Sequence, residues 1–101
     1  MVKNSIEKYN ELIKEGIVVI DFFATWCGPC KMIGPVLEKL EKEETDVKFY
    51  RLDIDTNVNV AEEQNIMAVP TLLLYKDGKL VSQTQGFQTY EALKKWINSN
   101  K

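Results

Sequence analysis

Apolar residues recur at two different periods along the 101-residue chain, and the switches between them lay out its elements. Ile6, Tyr9, Leu12 and Ile13 follow helical spacing, with Asn4 and Glu7 placed as a capping box and Gly16 as the stop. They predict a short amphipathic helix. Ile17 to Ala24 is rich in β-branched and aromatic residues and apolar on both faces except at Asp21. That is the composition of a central strand in a sheet covered on both sides. Met32, Ile33, Val36, Leu37 and Leu40 return to helical spacing and predict a helix to about Glu44, kinked at Pro35.

Val47 to Asp55 alternates in part and reads as a second strand, followed by a short helix over Val58 to Gln64 that Asn57 is placed to cap. Thr71 to Tyr75 and Leu80 to Thr84 read as strands joined through Lys76-Asp77-Gly78-Lys79. Asp-Gly between apolar runs is a strong hairpin signal, so these two should pair antiparallel. Leu93, Trp96 and Ile97 form the stripe of a last helix from about Thr89 to Ser99, with Trp96 expected in the core. The order of elements predicts an α/β fold whose sheet is mixed: parallel through the first crossover, antiparallel through the hairpin, with helices on both faces. Functional groups then belong at the carboxyl ends of the parallel strands.

Composition narrows the function classes. Hydrophobic residues make up 45% and charged residues 28%, which suits an ordinary globular chain rather than a disordered one, and the length suits one domain over residues 1–101. The formal charge of −2 comes from scattered basic and acidic residues, which argues against nucleic acid as a partner. The longest apolar stretch falls far short of the ~20 residues that span a bilayer, and Met1 to Glu7 has no apolar core of the secretory kind. A cytoplasmic, reducing setting is expected.

The two cysteines, Cys27 and Cys30, sit just past the end of the first strand. A disulfide between them closes so small a loop that chain entropy gives it only about 2 kcal/mol, so the pair makes a weak staple and is better explained by its chemistry. Cys27 is expected at the start of the following helix, where unpaired amides and the helix dipole stabilise a thiolate. It is the natural nucleophile. Cys30, one helical turn behind on the same face, is placed to resolve the mixed disulfide that Cys27 forms with a substrate. A closed zinc site needs four ligands, whereas this chain has two cysteines and no histidine, so no metal is expected unless two chains share one.

Asp21-Phe22-Phe23-Ala24-Thr25-Trp26-Cys27-Gly28-Pro29-Cys30-Lys31, Val69-Pro70-Thr71 and Gly86 together resemble the thioredoxin family over nearly the whole chain. The resemblance implies a thioredoxin fold with a four- to five-stranded sheet. It implies a protein-disulfide reductase that needs no bound cofactor and is recycled by a separate, NADPH-linked thioredoxin reductase. It also implies a substrate-binding rim of Trp26, Gly28, Pro29, Val69, Pro70 and Gly86. In that rim Pro70 follows a cis bond, Val69 pairs through its backbone with an extended substrate, and Trp26 is an exposed indole. Asp21 lies six residues before Cys27, which places its carboxyl behind the dithiol. Burial should raise its pKa, and with the family's support it is assigned to take the proton from Cys30. Arg51, where some members carry lysine, would oppose that rise if its guanidinium were close. Phe23 stands where many members have tryptophan, Phe87 where a small residue is frequent, and the short N-terminus leaves the first of the five strands in question.

Other functions fit less well. An isomerase or strong oxidant often has a histidine between its cysteines, and Gly28-Pro29 supplies no such charge. The glycines form no G-x-G-x-x-G loop for a nicotinamide or flavin cofactor, so electrons must come from a partner protein. A non-catalytic binding module with incidental thiols is the remaining alternative. A monomer is expected.

Overall fold

The computed structural model describes residues 5–101. Its elements run α1 (Ser5–Leu12), β1 (Ile17–Phe23), α2 (Gly28–Glu43), β2 (Val47–Asp53), α3 (Val58–Glu63), β3 (Thr71–Lys76), β4 (Lys79–Gln85) and α4 (Tyr90–Ser99). Asn4, half of the expected capping box, lies outside the described residues, as does any strand before α1.

Among the described residues the sheet has four strands in the order β2-β1-β3-β4. β1 pairs parallel with β2, with Ile17 opposite Val47 and Asp21 opposite Arg51. It pairs antiparallel with β3 on its other side, and β3 pairs antiparallel with β4. The hairpin turns at Asp77 and Gly78, both with positive φ (49° and 85°), the backbone that an Asp-Gly pair adopts most readily. The expected α/β architecture, a mixed sheet with helices on both faces, is therefore present.

Period-two alternation along β1 splits the core into two layers. Val18, Ile20 and Phe22 point to one face and pack with Tyr9 and Ile13 from the α1 end and Val60 and Ala61 from α3. Val19 points to the other face, where Ile33, Leu37 and Leu40 of α2 meet Leu93 and Ile97 of α4. Asp21 falls in step with Val19, on the α2 side. That parity carries a carboxyl into the layer beneath the helix that begins at the dithiol.

Several local expectations need correction. β2 ends at Asp53 rather than Asp55, because the Asp55 amide turns back to Asp53 Oδ1 at 2.8 Å and breaks the strand with an Asx turn. Asn57 occupies the N-cap position of α3 but makes no capping bond; its Nδ2 donates to the Asp53 carbonyl at 3.0 Å instead. Trp96 is half-buried at the edge of the second layer rather than inside it, with its indole N–H donating to Ser82 Oγ at 2.9 Å. The expected helix through Pro35 is present, as α2 carries it in its interior and runs on to Glu43. Thr89 caps α4 by accepting from the Ala92 amide at 3.1 Å.

Candidate active site

The end of β1 and the start of α2 meet at Cys27, the N-cap residue of α2, in extended conformation (φ −94°, ψ 115°). Its sulfur accepts from the Cys30 amide at 3.2 Å, so one of the orphan donors at this helix start is aimed at Sγ. Pro29 in the first turn has no amide to leave unpaired and its fixed φ suits a helix start. Cys27 and Cys30 are joined as a disulfide, with Cα atoms 5.3 Å apart. Both are buried, Cys27 at 6% and Cys30 at 1% exposure. Ala24, Phe23, Ile54 and Val69 pack around the pair, and Cys27 is the more accessible of the two.

Facing the dithiol is the segment before β3. The Val69–Pro70 peptide bond is cis. Cys27 Sγ lies 3.7 Å from the Val69 carbonyl oxygen. Two further bonds tie this segment down: Thr71 Oγ1 donates to the Ala68 carbonyl at 2.6 Å, and the Gly86 amide donates to the Pro70 carbonyl at 2.9 Å. Gly86, with φ +81° and open space where a Cβ would stand, is thereby held beside Pro70. Gly28 and Pro29 are exposed beside it.

Trp26 is 68% exposed, and its indole N–H donates to Asp55 Oδ2 at 3.0 Å. A cleft of about 140 Å³ runs beside the dithiol between Trp26, Ile54, Ile66, Met67, Ala68 and Val69. Met67, at 89%, and Phe87, at 42%, are exposed apolar side chains. Asp55, Met67 and Thr71 were not singled out from sequence. Asp55 and Met67 carry no local signature, and Thr71 was read as a strand residue and as part of the Val69-Pro70-Thr71 motif, without a role of its own.

Asp21 is 1% exposed. Arg51 Nε donates to its Oδ2 at 2.7 Å, while Oδ1 has no hydrogen-bond partner among the described residues. Burial pushes the Asp21 carboxyl above its ordinary value, and the Arg51 hydrogen bond and charge pull it back without cancelling the rise. Arg51 is thus as close as was feared for the proton-transfer role, yet desolvation prevails. The same guanidinium donates through Nη2 to the Cys30 carbonyl at 3.2 Å, so it spans the carboxylate and the second cysteine. Among the described residues no group of three or more His, Cys, Asp or Glu could hold a metal ion.

A disulfide at a helix start, opposite a cis-proline segment and above a buried carboxyl, defines a dithiol–disulfide oxidoreductase site on this fold. The comparisons agree. The family model described as Thioredoxin matches residues 1–99. The chain is 43% identical over 101 residues to a thioredoxin of Bacillus subtilis, covering 99% of this chain and 97% of that one. It is 44% identical to thioredoxin-2 of Saccharomyces cerevisiae over 95% of this chain and 93% of the relative. The oxidised mitochondrial thioredoxin 3 of S. cerevisiae superposes with a TM-score of 0.85 at 42% identity, covering 92% of this chain and 88% of that chain. The chain belongs to the thioredoxin family. It is a thiol–disulfide oxidoreductase, a protein-disulfide reductase with Cys27–Cys30 as its redox-active disulfide.

Proposed function

We propose that this protein reduces disulfides in extended segments of other proteins, with Cys27 as nucleophile, Cys30 as resolving thiol and Asp21 as proton acceptor. The observation that carries the assignment is the placement of Cys27 Sγ, with the Cys30 amide on one side and the Val69 carbonyl on the other. In the reduced protein the Cys27 thiolate attacks one sulfur of the substrate disulfide and releases the other as a thiolate. Cys30 gives its proton to Asp21 and attacks Cys27 Sγ, which expels the second substrate sulfur. The substrate gains two electrons and the Cys27–Cys30 disulfide forms; of the two protons its sulfurs take up, one returns from Asp21 and the other comes from solvent, which received it when the Cys27 thiol ionised. The Asp21 carboxyl, whose pKa burial raises, suits a group that accepts a proton in one step and returns it in another.

Val69, next to the cis bond, is half-buried and offers a backbone edge for pairing with a substrate strand, and such pairing ignores side-chain identity. Trp26, Gly28, Pro29, Pro70 and Gly86 form the rim around it. Electrons return from a reductase; a thioredoxin reductase drawing on NADPH is the partner we assign. We further assign one domain, a monomer and a cytoplasmic setting. A Cα radius of gyration of 12.9 Å, close to the ~13 Å usual for a 100-residue domain, supports the first. Among the described residues no helix is long and apolar enough to cross a membrane.

The test is a trap. Cys30→Ser should hold substrates on Cys27 as mixed disulfides that dithiothreitol releases, and Cys27→Ser should hold none. Equal capture by the two variants would refute the assignment of nucleophile and resolving thiol.

A further inference from the structure

The Arg51 guanidinium touches four different things, and one of them is an absence. Nε lies on Asp21 Oδ2 at 2.7 Å and Nη2 on the Cys30 carbonyl at 3.2 Å. The guanidinium carbon sits 4.5 Å from the centre of the Phe23 ring, and Nη1 comes within 3.2 Å of where a Cβ on Gly34 would stand. Gly34 is buried in the interior of α2, where glycine is among the poorest helix formers and alanine the best. The approach of Arg51 accounts for the empty position: outside the backbone of α2 itself, the atoms within 4 Å of that Cβ among the described residues are Nη1 and the carbon of the same guanidinium.

We infer that Gly34 is a positioning residue for the thiol chemistry: by carrying no side chain it seats the Arg51 guanidinium across Asp21 and the Cys30 carbonyl. The seat occupies Oδ2 and leaves Oδ1 as the oxygen open to the proton of Cys30. This rests on the proton-accepting role proposed for Asp21.

The guanidinium is a rigid planar fork, so displacing one nitrogen moves the others. A Cβ at 3.2 Å from Nη1 must push it by a few tenths of an ångström, in a group already in contact with Phe23, Asp21 and Cys30. Arg51 has a way out, since its side chain is 39% exposed, whereas that of Asp21 is 1% exposed and has none. Displacement therefore loosens the contact between the carboxylate and its cation. The groups around Asp21 are few. β2 contributes Arg51, α2 contributes Cys30 with Lys31 beside it in the same cleft as Arg51, and β3 places the uncharged Leu72 opposite in register. With Arg51 displaced, the group that lowers the Asp21 pKa is weakened while burial stays, so the carboxyl moves up.

The experiment follows the Asp21 carboxyl carbon by NMR through a pH titration of the oxidised full chain, in wild type, Gly34→Ala, Arg51→Ala and the double variant, alongside the pH profile of disulfide reduction. Gly34→Ala should raise the Asp21 midpoint and move the profile with it. In the Arg51→Ala background Gly34→Ala should add no further shift. A midpoint unchanged in Gly34→Ala, or a shift equally large without Arg51, overturns the inference. Arg51→Lys provides an arm that leaves α2 untouched: it keeps the charge and removes the fork, and an unchanged midpoint there also overturns it. Asp21→Asn separates the two readings. Normal turnover in that variant removes Asp21 from the mechanism while the titration still decides whether Gly34 seats Arg51.

Discussion

Replacing Asp21 with asparagine should change how stability depends on pH, and the sign of the change is fixed by which influence on the carboxyl prevails. The folded pKa is raised because burial outweighs the Arg51 contact. A carboxyl of this kind contributes stability that is fully present below its unfolded value of ~3.9 and is lost as pH rises through the folded value. Between the two values the unfolded chain has released a proton that the folded chain still holds. Wild type should therefore lose stability relative to Asp21→Asn with a slope approaching 1.4 kcal/mol per pH unit, about one proton, and the difference should level off above the folded value. Near neutral pH the asparagine variant should be the more stable protein. Glu43, Glu44 and Asp46, which are held below their ordinary values chiefly by hydrogen bonds from Tyr90, Asn98 and Lys101, slope the other way. They are common to both proteins and cancel in the difference. Urea unfolding of both oxidised proteins at half-unit steps from about pH 3 to 8, extrapolated linearly, gives the curve. A flat difference, or wild type gaining on the variant as pH rises, would mean that the Arg51 ion pair prevails and that Asp21 is an ordinary paired carboxylate.

Two further outcomes are expected. In the reduced protein Cys27, the more accessible sulfur and the one at the helix N-cap, should be alkylated by iodoacetamide faster than Cys30 at neutral pH; rapid alkylation that survives in Cys27→Ser and disappears in Cys30→Ser would reverse the roles. Tyr9→Phe removes a buried hydroxyl bonded to Tyr75 at 2.7 Å and should cost about 1 kcal/mol in urea unfolding, since Tyr75 keeps its bond to Gln64; a loss of only a few tenths would show that the pair contributes little.

The elements were legible because each announces itself locally. A change of period, a glycine stop and an Asp-Gly turn each act over a handful of residues, and the structure places β1, the hairpin and α4 close to where these signals put them. The failures are also local, and each has a competing bond. Asn57 has the right side chain for a cap but is drawn to the Asp53 carbonyl, and Asp55 leaves the strand because Asp53 offers its amide a better acceptor. The dithiol was legible for a related reason: its reactivity is set by one strand end and one helix start that are adjacent in sequence.

The surroundings of Asp21 belong to a different class of information. The strand starts read from sequence, Ile17 and Val47, when laid side by side in a parallel pair, already put Arg51 opposite Asp21, as the register does. The contact follows from the strands once they are known to be neighbours, so the possibility that Arg51 approaches was visible while its certainty was not. Gly34 has no such relation. It meets Arg51 only across the contact of α2 with β2, which no periodicity encodes, and its signal is the missing Cβ facing a guanidinium nitrogen. Residues that react can thus be found from motif and register. A residue that acts by leaving room is found only when its neighbour is seen occupying that room, and in this chain the neighbour is the cation on which the acidity of the buried carboxyl depends.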